Sequence, residues 1–157
     1  MGLGSLSLKG RALRHLAQRE HSRAELERKL ARHVEDGAAG PAVEQIARAL
    51  DELAAHGLLS EQRTADSVLR SQGARFGVRR LKQSLQAKGL DAELVASTLQ
   101  QARGTELERA RQVWQRKYGQ PPQDPTERAR QMRFLAARGF EGEVIRRVVQ
   151  DTDDEPA

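Results

Sequence analysis

Basic side chains cluster in one stretch of the chain that also follows a helical pattern. Residues 75–94 read RFGVRRLKQSLQAKGLDAEL, and five Arg or Lys residues precede the first acid, Asp91. Val78, Leu81 and Leu85 recur at helical spacing, which places them on one buried face and turns the cations outward. Arginine in such a position makes bidentate contacts with carboxylates or phosphates. We therefore predict an anion-binding surface formed by Arg75, Arg79, Arg80, Lys82, Lys88, Arg63 and Arg70. The alternative is a solvated amphipathic face that binds nothing.

The charge of the chain is distributed unevenly around this stretch. The formal net charge is +5, and residues 61–90 hold seven Arg or Lys against Glu61 and Asp66. Residues 31–60 hold two Arg against five acids. A field of this kind favours binding to a polyanion or to an acidic protein surface.

Catalytic and ligand-holding motifs are not found in the sequence. There is no cysteine, which excludes disulfides and thiolate chemistry, and the four histidines lack metal-ligand spacing. No glycine-rich loop is followed by the Lys-Ser/Thr pair that holds phosphates. We therefore expect a binding protein that is not an enzyme and that needs no cofactor and no metal. The absence of a long apolar run predicts a soluble cytoplasmic protein with no membrane partner.

Every long segment has helical periodicity, and we predict nine helices and no sheet. Ser22 and Glu25 form the pattern of a capping box. Thr105 is expected to cap a helix that is separate from the one begun by Asp91. Leu13 and Val43 are placed on the apolar faces of their helices.

An internal repeat suggests how these helices are organised. KGLDAEL at 88–94 returns as RGFEGEV at 138–144, and the apolar positions around it repeat with the same offset of 50 residues. Leu26 and Leu30 correspond to Leu81 and Leu85, in a first unit that fits more loosely. The prediction is an all-α fold, a tandem array of three three-helix units that is elongated and curved. The units are predicted at 8–56, 60–102 and 105–151, followed by a disordered acidic tail at 152–157.

Four segments in this order resemble one known family. They are SRAELERKL, ALDELAAHGLLSEQRTADSVLRSQGARFGVRRLKQSLQAKGL, KYG and MRFLAARGFEGEVI, and the resemblance spans about residues 8–150. The chain resembles the RecX family, regulators of the RecA recombinase. Thr64 and Ser84 depart from the residues usual there, an aromatic and an acid, which affects local packing more than the family assignment.

The resemblance implies tandem three-helix units and a function. It implies a protein that binds the RecA–single-stranded-DNA filament in its groove and inhibits filament growth, ATP hydrolysis and strand exchange. Single- or double-stranded DNA is a further expected partner, and we expect a monomer.

The main alternative is a winged helix-turn-helix transcription factor. The segment from Ser22 to Leu59 also fits the helical core of that fold, which then requires a β-hairpin wing. The sequence that follows, SEQRTADSVLRSQ, predicts a helix where the wing would be.

Overall fold

The computed structural model describes residues 6–150, and it confirms the all-α prediction for this part of the chain. An isolated bridge between Gly37 and Gly40 is the only strand-like pairing in these residues. The acidic tail predicted at 152–157 lies outside the described residues. The helices are α1 Leu8–Gln18, α2 Arg23–Leu30, α3 Ala42–Ala55, α4 Glu61–Gln72, α5 Val78–Ala87, α6 Ala92–Lys117, α7 Pro125–Ala137 and α8 Gly142–Gln150, with one 3₁₀ turn at Ala31–His33.

Local signals in the sequence set several helix ends. The predicted capping box is present: the Ser22 hydroxyl accepts from the Glu25 amide, and the Glu25 carboxylate accepts from the Ser22 amide, both at 3.1 Å. Each bond satisfies an amide that the first turn of a helix leaves without a partner. At the other end of the chain Pro125 is the first residue of α7, and Asp124 caps it by accepting from the Glu127 amide at 2.7 Å.

The prediction of nine helices is wrong, because two of them form the single 26-residue helix α6. Thr105 does not cap a new helix. Its hydroxyl donates to the Ala102 carbonyl at 3.3 Å, inside the continuous helix. A glycine such as Gly104 costs a helix roughly 1 kcal/mol relative to alanine. The buried face of α6 continues on both sides of it, from Leu99 to Ala110, and this burial offsets the cost.

The prediction that Leu13 and Val43 lie on buried apolar faces is wrong as well. Leu13 is 36% exposed and Val43 is 78% exposed, although both were placed on apolar faces. In α1 the buried position is Ala12, one residue and therefore about 100° away from Leu13. Val43 shares a face with Ile46, but it lies in the first turn of α3, before the part of the helix that packs in the core.

The chain divides into two compact units. Among the described residues the first unit contains 6–67 and 87–91, and the second contains 68–86 and 92–150. The three boundaries predicted from the repeat stay a prediction, since residues of the predicted middle unit occur in both compact units. The core of the first is Ala12, Leu26, Leu30, Ile46, Leu50, Leu53 and Leu59. The core of the second includes Ala110, Val113, Trp114, Leu135, Phe140, Ile145, Val148 and Val149.

Within residues 6–150 neither a membrane-spanning helix nor a metal-binding cluster is found. None of the helices there is long and apolar enough to cross a membrane. No group of three or more His, Asp or Glu residues there could hold a metal ion.

Candidate partner-binding site

The repeated sequence forms a similar contact between a turn and the start of a helix in both compact units. In the first unit the turn at Lys88 follows α5, and the Lys88 carbonyl accepts a hydrogen bond from the Ser22 hydroxyl at the start of α2. In the second unit the turn at Arg138 follows α7, and the Arg138 carbonyl accepts from the Gly77 amide at the start of α5, at 2.8 Å. We call these the first junction and the second junction. Ser22 and Gly77 are separated by the same 55 residues that separate Leu26 from Leu81.

A glutamate holds the helix at each junction. The Glu61 carboxylate accepts from the Arg23 amide at 2.7 Å, and the Glu106 carboxylate accepts from the Val78 amide at 3.4 Å. Arg23 and Val78 are the first residues of α2 and α5, so each carboxylate satisfies an N-terminal donor and favours the positive end of the helix. Glu106 is only 2% exposed and also accepts from the Glu141 amide at 3.0 Å. It therefore joins the beginnings of two helices.

Two glycines bring the backbones together at the second junction. The Arg79 amide donates to the Gly139 carbonyl at 3.0 Å, beside the bond between Gly77 and Arg138. A Cβ on Gly77 would lie 2.4 Å from the backbone nitrogen of Phe140, and one on Gly139 would lie 2.5 Å from the Arg80 Cβ. Neither approach is possible with a larger residue, because real Cβ atoms do not come so close to backbone. The glycines thus fix Arg138 next to the start of α5.

Arg109 holds the turn between α4 and α5 from the other side. One of its terminal nitrogens donates to the carbonyls of Gly73 and Phe76, at 2.8 and 2.6 Å, and the other donates to Ala102 at 2.8 Å. Burial lowers the pKa of Arg109, while the charge of Glu106 acts in the opposite direction. A guanidinium stays protonated in proteins, so Arg109 remains a donor that positions the backbone of Phe76.

Acids neutralise the cations of the first junction. Glu25, whose side chain is 11% exposed, accepts from Arg19 at 2.8 Å and from Lys88 at 3.2 Å. Burial alone would raise the pKa of Glu25, but hydrogen bonds from Arg19, the Ser22 amide and Lys88 outweigh burial and lower it to about 2. In the same unit Arg63 pairs with Glu20 at 3.0 Å.

His21 lies between Glu20 and Glu25 in the sequence and is 1% exposed. Its Nδ1 is 3.0 Å from the Arg19 carbonyl, and its Nε2 is 3.2 Å from the Lys29 ammonium. Since a carbonyl only accepts and an ammonium only donates, the network assigns the neutral tautomer with the proton on Nδ1. Burial is the main cause that lowers the pKa of His21.

The second junction replaces these residues with others of opposite or no charge. At the corresponding positions, 55 residues on, Glu20 is replaced by Arg75, His21 by Phe76 and Glu25 by Arg80.

The arginines of the second junction lie against two half-buried phenylalanine rings. The guanidinium carbon of Arg80 is 4.1 Å from the centre of the Phe76 ring, and that of Arg75 is 5.1 Å from it. Arg138 contacts both rings, at 5.9 Å from Phe76 and 5.2 Å from Phe134. Cation–π contacts at such distances hold a guanidinium in place without neutralising it.

A cavity of about 240 Å³ opens beside these rings. We call its cations, together with Arg80, the basic cluster, and the cluster is the candidate binding site. Within residues 6–150 none of its members forms an ion pair, and no acidic residue lines the cavity. The cavity is lined by Ala74, Arg75, Val113, Arg116, Lys117, Phe134 and Arg138. The basic cluster consists of Arg75, Arg80, Arg116, Lys117 and Arg138.

The structure brings together only part of the predicted surface. Arg75 and Arg80 belong to the basic cluster. Arg79 and Lys82 are exposed on α5, and Arg70 is exposed on α4, without an ion pair among the described residues. Two further predicted residues, Lys88 and Arg63, lie in the first compact unit and are paired with Glu25 and Glu20.

Sequence reasoning missed three cations and one ring of the site: Arg116, Lys117, Arg138 and Phe134. The repeat contained a signal for one of them. Arg138 corresponds to Lys88, and Arg80 corresponds to Glu25, so an opposite-charge pair becomes a like-charge pair. Arg116 and Lys117 lie in the last turn of α6. Trp114, in the same part of the helix, is buried and donates to Gln131 at 2.8 Å.

The described part of the chain is therefore an all-helical protein whose second compact unit carries a cluster of cations without ion pairs. Models of the second and third three-helix domains of RecX match residues 60–99 and 105–149. The regulatory protein RecX of Leptothrix cholodnii is 52% identical over 96% of this chain and 92% of its own length. The regulatory protein RecX of Ralstonia nicotianae is 43% identical over 94% of this chain and 89% of its own.

The chain therefore belongs to the RecX family of regulatory proteins. A crystal structure of RecX from Lactobacillus salivarius has the same fold, with a TM-score of 0.75 over 93% of this chain and 94% of that one. Its sequence is 20% identical to this one, so the likeness concerns the fold.

Proposed function

We propose that this protein binds the RecA–single-stranded-DNA filament and inhibits filament growth, ATP hydrolysis and strand exchange. Its membership of the RecX family supports a regulatory role, and the resemblance described above supports RecA as the target. It would act by binding, as a monomer in the cytoplasm, and would catalyse no reaction itself.

The observation that carries the proposal is the basic cluster, five cations without an ion pair in the described part of the chain. A filament of recombinase on DNA presents acidic side chains and phosphates. Exposed Arg79 and Lys82 extend the positive surface along α5. Charged surfaces of opposite sign accelerate association and fix the orientation of the partners. Binding of this kind weakens as the salt concentration rises, because counterions screen both surfaces.

The winged helix-turn-helix alternative loses its support at one place. The residues that should form a β-hairpin wing after Leu59 form α4 instead, Glu61–Gln72. A reader of DNA sequence would also need side chains that face base edges. The guanidinium groups of Arg80 and Arg138 contact phenylalanine rings at the second junction.

A charge-reversal variant tests the proposal. Replacement of Arg75, Arg79 and Lys82 by Glu should weaken inhibition of RecA ATP hydrolysis by about tenfold or more, because three reversed charges would repel an acidic partner surface that the wild type attracts. The matched control replaces Arg32, Arg146 and Arg147, three exposed arginines elsewhere, by Glu. It carries the same change in net charge. Circular dichroism and Trp114 fluorescence would establish that both variants are folded. Equal inhibition by the two folded variants would contradict the assignment of the site.

A further inference from the structure

The second junction lacks a charge that the first junction contains. At the first junction Glu25 and Lys88 form an ion pair at 3.2 Å. The corresponding residues of the second junction are Arg80 and Arg138, two cations beside the same ring. Both charges are positive, and neither Arg80 nor Arg138 forms an ion pair with an acid of the described chain. An anion supplied from outside would restore the balance that the first junction has internally.

Cation–π contacts with the phenylalanine rings hold these cations in position. Arg75 and Arg80 contact the Phe76 ring, and Arg138 contacts the rings of both Phe76 and Phe134. A side chain that is already ordered loses less conformational entropy when it binds a ligand. Ordered guanidinium groups also suit the bidentate geometry of a carboxylate.

The cavity beside them is lined by both apolar and charged residues. Ala74, Val113 and Phe134 supply apolar lining, and Arg75 and Arg116 belong to the charged lining. A volume of about 240 Å³ accommodates a large apolar side chain. The ligand that matches both parts carries acidic groups next to a bulky apolar group.

One feature favours a protein ligand over a nucleic acid. Proteins that bind single strands stack bases on open aromatic faces. Here Phe76 is contacted by three guanidinium groups, while Phe134 is contacted by Arg138, by Lys117 and by the edge of Tyr118 at 5.5 Å.

We propose that the basic cluster is a docking site for an acidic segment of a partner protein. One carboxylate of the segment binds between Arg80 and Arg138, as Glu25 does beside Lys88, and a bulky apolar side chain of the segment enters the cavity. This inference rests on the proposed function for the identity of the partner. It adds that the partner is held here through protein side chains and not through DNA phosphate.

An Arg80→Glu variant tests the inference by supplying the missing acid within the chain. The new carboxylate would pair with Arg138 and occupy the place of the ligand. We expect this variant to unfold at the same temperature as the wild type and to bind the RecA filament about tenfold more weakly. Arg146→Glu is the control, with the same charge change at an exposed position of α8. Binding of Arg80→Glu within twofold of the control would overturn the proposal.

A second measurement does not depend on RecA. The ¹⁵N-labelled protein would be titrated to millimolar concentration with the peptide acetyl-Asp-Glu-Phe-Glu-Asp-amide and, separately, with pentathymidylate. The proposal predicts that the peptide shifts the amide signals of Ala74, Phe76 and Arg138, and that Arg80→Glu abolishes these shifts. No shift at these amides, or a larger shift with pentathymidylate, would overturn it. A wild type that binds the peptide but not the filament would remove the proposed function and leave the acidic docking site standing.

Discussion

Replacement of Gly77 by Ala should selectively destabilise the second compact unit. The added Cβ would lie 2.4 Å from both the Cα and the backbone nitrogen of Phe140, and 2.5 Å from the Gly139 carbonyl carbon. These are backbone atoms, so the clash cannot be relieved by a side-chain rotation. The start of α5 must move away from the turn at Arg138.

The size of the effect follows from what the movement breaks. Overpacking a tight contact costs about 1–3 kcal/mol. The displacement also weakens the two backbone hydrogen bonds of the junction, Gly77 to Arg138 at 2.8 Å and Arg79 to Gly139 at 3.0 Å. Each contributes roughly 1 kcal/mol. We expect the free energy of unfolding to fall by about 2–4 kcal/mol.

Trp114 provides the assay. It is the single tryptophan of the chain, it is 5% exposed, and it lies in the core of the second unit. Urea unfolding followed by its fluorescence therefore reports that unit, and circular dichroism reports all helices. The matched control is Gly104→Ala in α6, where nothing lies within 4 Å of the added Cβ. This control should be more stable by about 0.5–1 kcal/mol, because glycine is the poorer helix former. A Gly77→Ala variant with the urea midpoint of the wild type would refute the reasoning about the junction.

Two further predictions concern buried carboxylates. The pKa of Glu25 is lowered from 4.5 to about 2, so its charged network stabilises the fold above pH 4.5 and loses that contribution as the pH falls toward 2. The loss of stability amounts to about 3 kcal/mol, at 1.36 kcal/mol for each unit of pKa difference. Glu25→Gln should therefore remove this part of the acid dependence of stability. Urea titrations between pH 5 and pH 2, about the range set by the two pKa values, would measure it. If Glu25→Gln loses stability between pH 5 and pH 2 as the wild type does, Glu25 is not the source of this acid dependence. Glu106→Gln should destabilise the second unit by about 1–2 kcal/mol in Trp114 fluorescence, since a neutral amide is a weaker acceptor for the amides of Val78 and Glu141. Equal stability of this variant and the wild type would show that the charge of Glu106 is not needed.

A similar contact between a turn and the start of a helix occurs twice in this chain, with different charges around it. At both junctions a carbonyl of a glycine-containing turn binds to the start of a helix, and a glutamate, Glu61 or Glu106, accepts from that helix. At the first junction the surrounding charges are paired within the chain. At the second junction Arg75, Arg80 and Arg138 form no ion pair within residues 6–150. Substitution of a few side chains on a repeated frame thereby produces a surface of unpaired cations.

Much of the fold was predictable because the signals are local. The apolar period of residues such as Leu81 and Leu85, and the capping box at Ser22, depend on neighbours within one or two turns. The continuity of α6 was not predictable in this way. Gly104 and Thr105 have the composition of a helix boundary, and only the burial on both sides of them keeps the helix intact.

The candidate site was predictable in part for a similar reason. Arg75 and Arg80 are close in sequence to the apolar residues of α5, and their charge pattern was visible there. Arg116 and Arg138 come to the same cavity from α6 and from the turn after α7, and sequence periodicity does not report such tertiary proximity. The ion pair of Lys88 is also a tertiary contact, because its partner Glu25 lies in α2, far away in sequence. Comparison of the two repeats, position by position, would have indicated Arg138, which corresponds to Lys88.

The most direct test of the central claim is single-stranded-DNA-dependent ATP hydrolysis by the RecA of the same organism, titrated with this protein. We expect the wild-type protein to inhibit ATP hydrolysis, and we expect weaker inhibition by the variant with Arg75, Arg79 and Lys82 replaced by Glu. Inhibition at well below one molecule per recombinase would further indicate that filament growth is blocked. Unchanged ATP hydrolysis in the presence of excess wild-type protein would contradict the proposal that this protein inhibits RecA.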